Sequence, residues 1–446
     1  MNKFIKKNIG FIIILLIAIV FPASLSNQAK LNMRIIVTGL AIDKNDDEYE
    51  VTAQIVKTVS GTESPGTGAE IEFISDSAET VSKAISKLLY KAGKVSAFSH
   101  TNFLIIGKNI LKEDVTKCLD VFLRDKIIKN SAMILFTKEQ AKDEIQKTQN
   151  LELSVGLGLQ KVYSFKQEES DGLMITVLDF MNENNTYGKT AVASVFKLIS
   201  NDDESESESE SGSSGGLSED SSSGESSDSQ SSGSGGSQGG SSSSGSSSSG
   251  GASGSGGSSG FGSDKNSKMY FSPNTPTFVF VDGKFVLEIS DKEENSGFLI
   301  AQKKTKTSYI EVKDFQDEKL KDAKVSVIVK SKKVRKKVHF NANVPCLDLK
   351  IVIDNAEVNE VNSNEKDKTL SNIQIDEIKD AMKKKISDDI GSVFEKAKEN
   401  GADLFKAYEI AYKFNYNDLT KFYNTEEDFI KNLLISVDVQ ISGLEN

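Results

Sequence analysis

From Asn201 to Ser263 the chain runs for 63 residues in almost nothing but serine, glycine and acid. Apart from Leu217 and Phe261 the tract offers hardly any large apolar side chain. No burial can therefore offset the entropy of ordering it. Such a tract is expected to be a disordered tether, a coil whose ends lie roughly 45 Å apart on average. The sequence accordingly predicts two separately packed portions, each with its own core. These are an N-terminal domain over 31–200 and a C-terminal domain over 269–446, the latter with a candidate subdivision near 305, with the linker at 201–268.

The tether also sets the charge. Its acids run from Asp202 to Asp228 with no Lys or Arg among them, and they carry about ten of the formal net charge of −11. The remainder sums to roughly −1. The acidic balance is thus a property of the tether and implies no basic partner for the folded portions. Nucleic acid is excluded as an expected partner, since a domain that neutralises phosphates normally shows a concentrated basic face. One run comes close: Lys330, Lys332, Lys333, Arg335, Lys336 and Lys337, interleaved with Val334 and Val338. It reads either as a contact for anionic lipid or a cell-wall polyanion, or as a solvent-facing edge strand protected by lysine. The binding candidates are Lys332, Lys333, Arg335, Lys336 and Lys337.

At the N-terminus, Lys3, Lys6 and Lys7 precede an apolar stretch from Ile9 to Phe21, closed by Pro22 with Ser24 and Ser26 beyond. Residues 1–26 read as a signal peptide or N-terminal membrane anchor, so the chain is expected outside the cytoplasm. The stretch is shorter than the roughly 20 residues that span a bilayer comfortably. No cysteine lies in or just after it, which removes the usual lipoprotein acylation. The two cysteines, Cys118 and Cys346, form no disulfide framework and are expected to be core thiols.

Alternating apolar and polar residues predict a hairpin from two strands, Ile35–Asp43 and Tyr49–Lys57, joined through Asn45, Asp46 and Asp47. A loop over Ser60–Gly68 and a short extended stretch, Ile71–Ile74, follow. A helix capped by Ser77 or Asp76 carries Val81, Ala84, Ile85, Leu88 and Leu89 on one face and stops at Gly93. Phe103–Ile106 and Ala132–Phe136 are continuous apolar runs of the buried-strand type. Between them a helix is predicted around Leu111–Leu123, and another from Lys138. Val192–Ile199 is the last strand before the tether. The alternation gives an α/β arrangement with a partly parallel sheet.

Beyond the tether, Thr277–Val281, the turn Asp282-Gly283 and Lys284–Ile289 spell a two-residue hairpin. Strands are predicted at Tyr309–Val312, Val325–Val329, Val334–Phe340 and Leu347–Ile353. A long helix over Ile375–Asn400 ends at Gly401, a shorter one spans Leu404–Phe414, and a final strand covers Leu433–Ile441. The fold class is α+β: an N-terminal mixed α/β portion and a C-terminal antiparallel sheet with a packed long helix.

Chemistry is sparse. The two histidines, His100 and His339, lie in different portions, so neither a zinc cluster nor a Ser-His-Asp triad can be built locally from them. His100 reads as a general base or as a structural histidine at a strand entry. Gly156 and Gly158 resemble a fragment of a nucleotide loop, but Lys161 stands where the third glycine belongs. No catalytic, cofactor-binding or metal-ligating residue is expected, and no enzyme activity.

The order of motifs resembles the Ger(x)C family, the C subunits of spore germinant receptors. The resemblance is carried by Arg34, Ile35, Gly39, Leu40, Ala41, Ile42 and Asp43, then Val51–Val56, the helix at Val81, Phe98–Gly107 and Phe122-Leu123-Arg124. In the second portion it is carried by Val279, Phe280, Asp282, Gly283 and Lys284 with Gly297, then by Asp389-Ile390-Gly391 and the closing strand to Gly443. It implies a non-catalytic subunit on the outer face of the spore inner membrane, beside membrane-embedded A and B subunits, acting in spore germination. The chain departs from that pattern in lacking the acylated cysteine and in carrying the tether. The hydrophobic leader is then the expected anchor, with a secreted form if it is cleaved. From the residues alone, the alternative is a secreted cell-envelope protein that binds anionic wall polymer or lipid.

Overall fold

The computed structural model describes residues 34–58, 69–92, 95–125, 127–150, 157–200, 269–272, 274–317, 320–321, 323–362 and 370–445. The leader, the loop at Ser60–Gly68, Gly93, Gly156 and the linker at 201–268 lie outside them.

The N-terminal portion is ordered β1 (Arg34–Asn45), β2 (Glu48–Thr58), β3 (Ala69–Ala78), α1 (Val81–Ala92), β4 (Val95–Ala97), β5 (Phe103–Ile106), α2 (Thr116–Arg124), β6 (Met133–Phe136), α3 (Ala141–Lys147), α4 (Leu157–Glu168), α5 (Val177–Asn185), β7 (Thr190–Ser194) and β8 (Leu198–Ser200). Its main sheet runs β3-β2-β1-β5-β6, antiparallel on the β3 side of β1 and parallel on the other. The short β4 also pairs with β1, in parallel. The helices α1 and α2 supply the crossovers that parallel pairing requires. Both faces of the sheet are buried. Leu104, Ile106, Ile134 and Phe136 fall in one apolar cluster, and Phe103, Ile105, Met133 and Leu135 in another with Ile145, Leu159 and Tyr163. That is why β5 and β6 read as unbroken apolar runs. Thr80, rather than Ser77 or Asp76, caps α1: its hydroxyl accepts from Lys83 N at 3.2 Å. Asp43, buried at the end of the first strand, accepts from Ala141 N at 2.7 Å and Lys142 N at 2.8 Å and so holds the start of α3.

The second portion is β9 (Met269–Phe271), β10 (Thr277–Val281), β11 (Lys284–Ile289), α6 (Lys292–Ile300), β12 (Ser308–Val312), β13 (Lys324–Asn341), β14 (Val344–Asn362), α7 (Asn372–Glu399), α8 (Ala407–Phe414), α9 (Tyr416–Phe422), α10 (Glu426–Asn432), β15 (Leu434–Ile441) and β16 (Leu444–Glu445). The strands predicted at Val325–Val329 and Val334–Phe340 are one 18-residue strand, β13. The large sheet is ordered β12-β13-β14-β15. Pairing is antiparallel through β14, and β15 joins in parallel because the helices α7 to α10 carry the chain back across the sheet. Ser371 and Gln374 form a capping box at the start of α7. The stripe Ile378, Met382, Ile386, Ile390, Val393 and Phe394 is buried against the sheet's inner residues, among them Leu347, Leu349, Ile351 and Ile353.

The expectation of two separate cores is corrected. Strand β7, before the linker, pairs antiparallel with β10, after it, giving a sheet ordered β11-β10-β7. β8 and β9 pair as well. Three phenylalanines pack across this seam: Phe136 lies 5.5 Å from Phe180 and 4.6 Å from Phe280, and Phe180 lies 5.1 Å edge-on from Phe280, all centroid to centroid. One apolar cluster therefore contains residues of both portions, which cluster into a single compact unit. Lys166 adds a polar clamp. Its buried ammonium donates to Asp171 at 2.5 Å, to Ser272 O at 2.9 Å and to Thr275 Oγ1 at 3.0 Å. The sequence pattern could not reveal this pairing, because a strand's partner is not encoded in its own alternation.

Two glycines quoted in the motifs have opposite roles. A Cβ at Gly297 in α6 would lie 2.7 Å from the Asp389 carbonyl carbon of α7, whereas one at Gly391 would meet nothing within 4 Å. Gly297→Ala should therefore cost about 1–3 kcal/mol by forcing two helices apart. Gly391→Ala should stabilise by about 0.5–1 kcal/mol through reduced backbone entropy in the unfolded chain. Urea denaturation of the two variants checks this; similar effects of the same sign would contradict the packing described.

Candidate functional site

The lysine run does not form one surface. Along β13 the pairing slips between Val329 and Lys332, and the slip changes which positions face inward. Val325, Val327 and Val329 are buried before it, Val334 and Val338 after it. Lys332 and Lys336 thereby turn toward the helices with the valines. Lys332 Nζ donates to Ile300 O and Thr305 Oγ1, both at 2.6 Å. It thus satisfies a last-turn carbonyl of α6, where the helix dipole favours a cation. Lys336 Nζ lies 5.2 Å from the Phe405 ring centroid. Burial pushes the first ammonium down to about 7 and the second to about 8. The other three candidates, Lys333, Arg335 and Lys337, are exposed on the outer face of the sheet. Lys333 is paired with Asp354 at 2.8 Å.

Beside Lys336 lies Asp403, buried at the seam. Its carboxylate accepts from Ala407 N and Tyr408 N, each at 2.7 Å, at the start of α8. Its own backbone N–H donates to Thr190 Oγ1 of β7 at 2.9 Å. Lys406, next to it, reaches Glu183 of α5 at 2.7 Å. Burial raises the Asp403 carboxyl to about 6. Asp403 and Lys406 thus tie α8 and its approach to β7 and α5.

A roomier site opens where the β10–β11 hairpin meets the N-terminal portion. Asp282 and Gly283 both have positive φ, 50° and 75°, as the two-residue turn demands. The turn docks closely: Gly283 O accepts from Val115 N at 2.9 Å, and a Cβ at Gly283 would lie 2.1 Å from Asp114 Oδ1. Next to this contact a groove of about 550 Å³ is lined by Lys108, Lys112, Lys138, Lys284, Phe285 and Glu288, among others. Its volume falls in the range of small-molecule sites. Lys138 is tied to Glu288 at 2.6 Å and Lys108 to Glu139 at 3.6 Å. Lys112 donates to Asn109 Oδ1 at 3.1 Å. The lining offers ammonium groups beside apolar and aromatic surface, chemistry that suits an anion with an apolar part. Its lysines are scattered over three stretches of sequence, so no run of charge announced it.

The remaining sequence candidates are dispersed. His100 is exposed in a short 3-10 turn, Phe98–His100. Gly158 is the second residue of α4, and Gly156 lies outside the described residues. Cys118 is a core thiol as expected, donating to Val115 O at 3.1 Å and pushed up to about 12 by burial. Cys346 is not: it is half-exposed on the outer face of β14, opposite His339. His339 Nδ1 contacts Asp348 Oδ2 at 2.9 Å. His339, Cys346 and Asp348 come together here, a mixed grouping that the reading of the two histidines against each other did not address. The signal was present in the hairpin register set by Ala342 and Asn343.

Residues 27–198 match a family model described as the spore germination protein N-terminal domain, and residues 276–442 match one described as spore germination B3/GerAC like, C-terminal. This chain is a member of the Ger(x)C family. It is 26% identical over 153 residues to YfkR of Bacillus subtilis (strain 168), whose name provisionally assigns it to spore germination. That alignment takes in 33% of this chain and 40% of the relative, so well under two thirds of the curated relative is spanned. A crystal structure of the GerBC protein is similar at a TM-score of 0.46 and 13% identity, over 91% of this chain and 96% of that one. In this Ger(x)C chain the boundary between the two family regions is the place where β7 and β10 join. Among the described residues no helix is long and apolar enough to cross a membrane.

Enclosure of the two β13 lysines has a pH signature. Their folded values of about 7 and about 8 lie below the ordinary 10.5. Between those values the unfolded chain binds more protons than the folded one, so stability rises with pH. From pH 7 to 8.5 the gain should be on the order of 2 kcal/mol in urea titrations. The Lys332→Met, Lys336→Met double variant should flatten it. Asp403 works the other way and lower down: its raised value makes its contribution fall as pH climbs from 3.8 to about 6.

Proposed function

We propose that this chain acts in spore germination as a non-catalytic, extracytoplasmic, membrane-associated subunit of a germinant-receptor-like complex, beside membrane-embedded A and B subunits. The observation that carries the reading is the presence of both family regions, in order and closed around one seam. The leader pattern at residues 1–26 supports attachment to a membrane from outside the cytoplasm. The groove beside the β10–β11 turn supports a binding role: its lining sets lysines beside apolar and aromatic surface.

The alternative of a wall-polymer binder through the basic run is disfavoured by geometry. Two of its five candidates, Lys332 and Lys336, spend their ammonium groups inside the fold. Lys333, Arg335 and Lys337 remain for such contacts.

In detergent-free spore lysates the full-length chain should sediment with membranes, and after detergent solubilisation it should co-purify with multi-spanning partners. Deleting residues 1–26 should release it to the soluble fraction. Recovery of the intact protein as a free soluble monomer from spores would overturn the reading. Salt-dependent retention on anionic wall polymer, lost on Lys333→Glu with Lys337→Glu, would favour the alternative.

A further inference from the structure

The outer face of the β12-β13-β14-β15 sheet carries a donor set unlike the rest of its surface. His339 of β13 and Cys346 of β14 stand directly opposite one another in register. Asp348 follows Cys346 by two positions and so shares its face. One ligand atom from each, an imidazole nitrogen, the thiol sulfur and a carboxylate oxygen, lies within 4.8 Å of the other two. The side chains of His339 and Asp348 are 42% and 44% exposed. They can be reached from solvent without opening the fold.

The backbone beneath is fixed. A two-residue turn, Ala342-Asn343, with φ of 46° and 74°, sets the register a few residues away. β14 is an interior strand paired on both sides, with β13 and β15. Opposed residues on adjacent strands hold their Cβ atoms about 4.5–5.5 Å apart. That separation suits a shared ion. Tetrahedral bonds of about 2.0–2.3 Å place ligand atoms roughly 3.3–3.8 Å from each other. The three ligand atoms lie within 4.8 Å of one another, with the His339–Asp348 contact at 2.9 Å, so their separations bracket this spacing.

We propose that His339, Cys346 and Asp348 form a binding site for a zinc-class divalent cation. The thiolate and carboxylate each supply one negative charge and the neutral imidazole none, which balances a dication. On binding, the Cys346 thiol proton passes to solvent as the sulfur–metal bond forms. A thiolate with an imidazole selects zinc, cobalt or nickel over calcium and magnesium. Three protein ligands leave the fourth tetrahedral position to water or to a donor from outside. Two lysines stand against the site. Lys337 faces Asp348 across the strands, and Lys350, two residues beyond it, is engaged by Asp438 at 3.2 Å.

Reduced, tag-free full-length protein titrated with cobalt(II) should show one thiolate-to-cobalt charge-transfer band, saturating at one equivalent with micromolar affinity and displaced by zinc. Cys346→Ser should abolish the band, while Cys118→Ser leaves it unchanged. His339→Ala and Asp348→Asn should each weaken binding by about 10–100-fold. Unchanged metal-free melting temperatures in these variants separate loss of the site from loss of the fold. A band that survives Cys346→Ser, or no binding below millimolar cobalt, overturns the proposal. Neither result bears on membrane attachment.

Discussion

The contact among Phe136, Phe180 and Phe280 is the constraint on which the rest of this molecule depends. Phe136 ends a strand of the first sheet, Phe180 sits on a helix beside it, and Phe280 arrives from beyond the 201–268 segment. Phe280 packs on both of the first two. Without β7, β10 would be an edge strand with unpaired backbone groups. The hairpin that bears Phe280 is also the one whose turn seats on Asp114 and lines the lysine groove. Packing at the seam therefore sets the geometry of the candidate ligand site.

Charge is used sparingly and to a structural end along that seam. Lys166 meets three acceptors at once, Asp403 ties α8 to β7, and Lys406 reaches α5. A buried pair of this kind contributes little net stability over an apolar substitute, but removing one partner strands the other. Such groups fix which surfaces meet, which a purely apolar seam leaves less well specified.

Much of this architecture was legible in the sequence, and the reasons differ by element. The α7 stripe follows helical spacing for about five turns, and the Asp282-Gly283 turn needs positive φ at both positions, so each announced itself locally. The β7–β10 pairing did not, because it joins residues about 85 apart whose alternation fits any neighbour. Strand alternation splits the basic run, and a slip in β13 decides which positions face in: Lys332 and Lys336 turn inward while Lys330, Lys333, Arg335 and Lys337 are exposed. Residue type makes Cys346 a core-thiol candidate, whereas alternation with the buried Leu347 and Leu349 puts it on the outer face. The grouping with His339 is a matter of register across a hairpin. It becomes visible once the turn at Ala342-Asn343 is placed.

The seam also imposes an order on synthesis. When Ser194 leaves the ribosome, the segment that will cover β7 and Phe136 is still more than eighty residues from completion. At about 5–20 residues per second the wait is on the order of ten seconds. Through that interval the nascent chain exposes an unpaired strand edge and bare aromatic surface. The longer the intervening segment, the longer this chain must be shielded from its neighbours before it can close.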